Sequence, residues 1–189
     1  MLAVQWDEPV TVACRSISFV EATVLTAVEV HQRLTLGELR AHLHLTPSGE
    51  TRALKRLFKT GALTKEGDSI SLAPEWRSTS AQLTAVEFKL CRWRDALAQA
   101  LSYLRFANRS YVVLDAHQTQ AHSDMVDLFE TVGVGLCLLD GDLTTVVVDA
   151  ATHTLISPDR WYALQYMASR KSSELPLNAR VFSPVPERL

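Results

Sequence analysis

From residue 82 onward the chain alternates short apolar runs with amphipathic helical stretches, and this alternation most constrains the fold. QLTAVEFKL (82–90) reads as a strand. RWRDALAQALSYLRFA follows, with Trp93, Ala96, Leu97, Ala100, Leu101 and Leu104 at helical spacing. SYVVLDA (110–116) is a β-branched run, SDMVDLFETVG a helix capped at Ser123, and VGLCLLD (134–140) a further run. GDLTTVVVDA supplies a last strand, and Pro158 opens a closing helix through Arg170. Strand–helix–strand–helix–strand needs crossover connections, so some strands must pair in parallel. This half is therefore predicted to be α/β.

The preceding stretch, 16–76, has a different rhythm. Residues 18–31 carry Phe19, Val20, Val24, Leu25 and Val28 on one helical face. Thr35 precedes LGELRAHLH with Glu38 three residues on, a capping-box pattern. Thr46 and Pro47 suit the cap and first position of a third helix, with Glu50 in its first turn and Gly61 at its end. LTKEGDSISLAP then reads as two strands about a Glu-Gly-Asp turn. The expectation is α+β overall, with one unit over 1–76, a second over 77–175 and a tail over 176–189. A chain of 189 residues is long enough for two small units, and 47% hydrophobic content with seven Gly and seven Pro excludes a mainly disordered chain.

At about 100° per residue, Arg52, Lys55, Arg56 and Lys59 share one arc of the third helix, opposite Leu54, Leu57, Phe58 and Gly61. One face is apolar and the other cationic, with Thr46, Ser48 and Thr51 near the leading end. TLGELRAHLHLTPSGETRALKRLFKTGAL followed by TKEGDSISL resembles the winged helix-turn-helix domain of bacterial regulators, over about 60 residues. The resemblance implies a recognition helix that meets the phosphates and bases of DNA.

Charge is uneven along the chain. Residues 77–109 carry six basic side chains (Arg77, Lys89, Arg92, Arg94, Arg105, Arg109) and two acidic ones. Residues 110–159 carry eight acids and no Lys or Arg. Asymmetry of this kind points to a surface with a preferred anionic partner, and Arg92 joins the candidate DNA contacts.

Glu87 and Lys89 lie two apart on a strand and so share a face. The helix after them carries Gln99 and Tyr103, which with Arg92 fall within about 40° on the helical wheel. E-x-K on a strand followed by Q-x-x-x-Y on a helix is similar to the PD-(D/E)xK nuclease superfamily, in its RecB-type branch. That resemblance implies a restriction-endonuclease-like mixed sheet, catalytic roles for Glu87, Lys89, Gln99 and Tyr103, and Mg²⁺ held by Glu87. It also implies a lysine that orients the attacking water. Here the carboxylate set is short: residues 76–86 contain no acid, and Gln82 stands where an aspartate is expected. Mg²⁺ takes about six oxygens in octahedral geometry, so one carboxylate holds it weakly unless Asp68, Glu75 or a second subunit contributes.

Other patterns are weaker. Asp115, His117, His122 and Asp124 crowd one connection, where helix capping explains them more cheaply than a transition metal. His42-x-His44 sits at a helix end. Cys14, Cys91 and Cys137 are far apart and form no C-x-x-C pair. No leader or membrane-span pattern is present, so a soluble cytoplasmic protein is expected. Three functions fit: a DNA-binding protein with a degenerate nuclease-like unit, an active Mg²⁺-dependent DNA nuclease, and a transcription regulator whose α/β unit dimerises or senses a ligand. A homodimer is compatible with each.

Overall fold

A computed structural model describes residues 2–6, 16–43, 46–78 and 81–171, with side chains for those between 16 and 167. Cys14, His44 and the 176–189 tail lie outside the described residues. The class is α+β, with six α-helices and two sheets among the described residues.

The first sheet is built around three helices, α1 (Phe19–His31), α2 (Leu36–His42) and α3 (Pro47–Lys59). Ser18 and Glu21 form a capping box on α1, and Thr35 and Glu38 form one on α2. The Thr46 hydroxyl accepts from the Gly49 N–H at 3.3 Å at the start of α3. The helix closes at Thr60, and Gly61 follows at φ +75°, a left-handed turn that glycine makes at no steric cost. Strands β3 (Leu63–Glu66) and β4 (Ser69–Leu72) form the expected hairpin. A short strand, β2 (Leu34–Thr35), escaped the sequence reading; it adds to β4 by pairing Leu34 with Ile70. The sheet order is β2-β4-β3. Val24, Leu25, Val28, Leu39, Leu57 and Ile70 are buried together in its core.

The second sheet contains β5 (Ala81–Lys89), β6 (Arg109–Asp115), β7 (Gly135–Asp140) and β8 (Leu143–Val148). Helix α4 (Trp93–Tyr103) connects β5 to β6, and α5 (Ser123–Val132) connects β6 to β7. Both connected pairs are parallel, while β7 and β8 form an antiparallel hairpin. Strand β1 (Leu2–Trp6) pairs antiparallel with β5, giving the order β1-β5-β6-β7-β8. Residues 2–6 thus belong with the second sheet and not with the first block, a partnership that no local pattern announces. Helices α4 and α5 share one face of the sheet, where Ala96, Leu97, Met125 and Phe129 pack on Val112, Leu114 and Leu136. On the other face the Tyr111 ring lies so close to Gly135 that a Cβ there would collide with it.

The cap of α5 also differs from expectation. His122, not Ser123, is the N-cap, and its Nδ1 accepts from the Met125 N–H at 3.2 Å. Helix α6 (Pro158–Lys171) joins the two halves. Trp161 enters the core of the first sheet, while Leu164 packs with Leu83 and Ala85 of β5. Between them Arg160 is fully buried; it donates to the Ser78 carbonyl at 3.0 Å, the Phe106 carbonyl at 3.1 Å, Asn108 Oδ1 at 2.9 Å and the Ala81 carbonyl. No helix among the described residues is long and apolar enough to cross a membrane.

Candidate functional site

Alternation along β5 puts Ala81, Leu83, Ala85, Glu87 and Lys89 on the face that α4 covers. The first three are buried. The strand then runs past the end of the packed region, so Glu87 and Lys89 emerge at its rim. Lys89 Nζ lies 2.9 Å from Glu87 Oε1, and the Tyr103 hydroxyl donates to Glu87 Oε2 at 2.8 Å. The Glu87 side chain is 12% exposed. Burial alone would raise its pKa, but the hydrogen bonds from Lys89 and Tyr103 outweigh that and hold the carboxyl below its ordinary value. The bond to Glu87, aided by burial, moves the Tyr103 phenol the other way, above its usual range.

The structure therefore brings Glu87, Lys89 and Tyr103 together. Gln99 lies one helical turn before Tyr103, exposed, and its side chain makes no hydrogen bond among the described residues. Both Glu87 oxygens already accept from donors, and its described polar partners include no second carboxylate. Asp68 sits in the β3–β4 turn and Glu75 in the short turn Pro74–Trp76, both in the first half. No group of three or more His, Cys, Asp or Glu among the described residues could hold a metal ion. A donor set of one carboxylate facing an ammonium and a phenol does not fit the octahedral oxygen shell that Mg²⁺ requires.

The second candidate surface is α3. Ala53, Leu54 and Leu57 are buried, and Arg52, Lys55 and Lys59 are exposed without a charged partner among the described residues. Arg56 departs from the four-cation stripe. Its Nε lies 3.0 Å from Glu21 Oε1, a carboxylate that is almost fully buried, and its Nη2 donates to the Ser16 carbonyl at 3.1 Å. Of the three small polar residues at the leading end, Thr46 caps the helix and Thr51 donates to the Pro47 carbonyl, which leaves Ser48 exposed.

The basic run over 77–109 is largely neutralised in three dimensions. Lys89 pairs with Glu87, Arg92 with Asp95 at 3.2 Å, Arg105 with Asp159 at 3.5 Å, and Arg109 approaches Asp149 at 3.8 Å. Arg94 lies over the Trp93 ring. Arg92 thus stands at the N-cap of α4, exposed but paired. The Asp115–Asp124 group does not converge either. Asp115 accepts from the His117 N–H, His117 pairs with Asp140, and His122 serves as a cap. Burial pushes the Cys137 thiol up to about 11, so it is no nucleophile at neutral pH.

Two features were missed by the sequence reading. His31 and His42 stack with ring centroids 4.4 Å apart; they come from different helices, so no spacing rule could pair them. A cleft of about 360 Å³ opens at the carboxyl ends of β5, β6 and β7, lined by Phe88, Lys89, Val113, Asp115, His117 and Leu139. Phe88, between the two charged residues of E-x-K, points to the opposite face, and an exposed aromatic there was the available signal.

No family model matches the chain, and no curated protein matches it. Among solved structures, a protein of unknown function from Silicibacter pomeroyi is similar at 22% identity, covering 69% of this chain and 89% of that one, with a TM-score of 0.33. A likeness of that size carries no argument about function.

Proposed function

We propose that the chain is a DNA-binding protein of the winged-helix type whose second half is a nuclease-like unit that does not cleave. The observation that carries this reading is the outward face of α3, with Arg52, Lys55 and Lys59 exposed beside the β3–β4 hairpin and without a charged partner among the described residues. Three exposed cations on one helix face suit a row of phosphates, because neutralising a phosphate releases condensed counterions. In this reading the protein works in DNA maintenance or regulation in the cytoplasm, as a monomer or a homodimer.

The test is the salt dependence of binding to a fluorescent duplex. Each phosphate contact contributes about 0.9 to the slope of log affinity against log salt, so replacing Arg52, Lys55 and Lys59 with Ala should flatten it by about 2.7. An unchanged slope sinks this reading and moves the interface elsewhere, with Arg92 and Arg94 next to be tested.

The active Mg²⁺-dependent nuclease is the second reading; the proximity of Glu87 to Lys89 and Tyr103 favours it, although those contacts occupy both carboxylate oxygens. Turnover on linear, nicked and branched DNA with Mg²⁺ or Mn²⁺, abolished by Glu87→Gln, would establish it. The ligand count argues for no turnover.

A further inference from the structure

Among the described residues, strand β8 closes one side of the five-stranded sheet and has β7 as its neighbour. Its sequence, LTTVVV, is rich in β-branched residues and has no charge and no proline. Proteins ordinarily guard such an edge with lysine, proline or a cover, because unpaired N–H and C=O groups invite another strand. Here Leu143 is 67% exposed and Val146 is 41% exposed. The one irregularity is a register shift between the Leu136–Val148 and Cys137–Val146 pairs, which leaves Leu143–Val146 as a regular run.

The surroundings of that run carry a definite sign. Asp142 and Asp140, the latter paired with His117, flank its start, and Asp149, which accepts from the Tyr111 hydroxyl, follows its end; all three are exposed. Over residues 110–159 there are eight acids and no Lys or Arg, and Arg109 reaches Asp149 only at 3.8 Å. This field repels a nucleic-acid backbone. It also disfavours a second copy, since pairing all six residues of β8 antiparallel with themselves would set Asp142 opposite Asp149.

We propose that the β8 edge takes an extended peptide strand from a partner protein, β-branched or apolar at its centre and carrying Lys or Arg at its ends. Main-chain hydrogen bonds along Leu143–Val146 would supply the affinity, and the flanking aspartates would set direction and register. This surface lies on a different element from α3, so DNA binding and strand addition stand or fall separately.

The experiment uses the full chain and the synthetic octapeptide Arg-Thr-Val-Thr-Val-Thr-Val-Arg. Its control is the same peptide with alternate backbone nitrogens methylated, which removes ladder donors. The expected result is saturable binding of the first peptide alone, with amide exchange over 143–146 slowed at least about fivefold. Thr145→Lys should weaken binding about tenfold, and Asp142→Asn about threefold at low salt with the difference gone at 1 M NaCl. Equal binding of the methylated control overturns the proposal on unmodified protein, whatever the variants do. Protection confined to other strands overturns it too. A dimer of the free chain with residues 143–146 protected would assign the edge to a second copy and equally overturn it.

Discussion

Glu87 accepts from an ammonium and a phenol at once, and this double engagement sets its behaviour with pH. A carboxyl held below its unfolded value, about 4.3, adds stability that is present above that value and lost as pH falls through the folded one. Tyr103→Phe removes one donor. It should destabilise the protein by about 1.5–3 kcal/mol at pH 7, the usual net worth of a hydrogen bond to a charged group, and by less near pH 2, where Glu87 is protonated in both states. Urea denaturation at the two pH values measures the difference, and a carboxyl NMR titration should show Glu87 moving up in the variant. An equal deficit at both pH values would mean that the Tyr103 hydroxyl acts through packing and not through the carboxylate. The i, i+2 spacing of Glu87 and Lys89 and the one-turn relation of Gln99 to Tyr103 were legible in sequence. The side of Phe88 that forms a cleft was not, because its walls come from β6 and β7.

Within α3, one stripe of cations divides into two jobs. Arg56 is tied to the buried carboxylate of Glu21, whereas Arg52 projects into solvent. Arg56→Ala should therefore cost about 1–2 kcal/mol, since it strips a partner from a buried charge, while Arg52→Ala should stay within about 0.5 kcal/mol. Thermal denaturation of the two variants decides it; equal effects would reduce the Arg56–Glu21 pair to a surface contact. The caps of α2 and α3 and the hairpin turn could be read directly, because capping and turn chemistry act over three or four residues. The partner of Arg56 lies 35 positions earlier on another helix, the partner of β2 lies on β4, and the His122 cap competed with an adjacent serine. Each of those choices is settled by packing that local preference does not encode.

Across the whole molecule, Arg160 is the joint. Four oxygens from Ser78, Ala81, Phe106 and Asn108 converge on one buried guanidinium, and Ser78 donates in turn to the buried Glu29 carboxylate at 2.6 Å. Burial lowers the Arg160 pKa, and the nearby Glu29 charge opposes that shift. Arg160→Leu strips a donor from each of those oxygens, of which Asn108 Oδ1 keeps the Leu83 N–H at 2.8 Å, and should cost about 3–5 kcal/mol. It should also uncouple the halves, so that tryptophan fluorescence and far-ultraviolet circular dichroism report separate urea transitions. Coincident transitions at reduced stability would show that the other α6 contacts, Trp161, Leu164 and the Gln165–Ile17 hydrogen bond among them, suffice to couple them. The long reach of α6 has a consequence for synthesis. A ribosome releases β1 about 80 residues before its partner β5, and the core around α1 lacks Trp161 until nearly all of the described chain has emerged. Neither half can finish packing until α6 has emerged. The unpaired strand and the open core must be kept from other chains until α6 arrives, so the vulnerable interval for this protein runs from the emergence of β1 to that of α6.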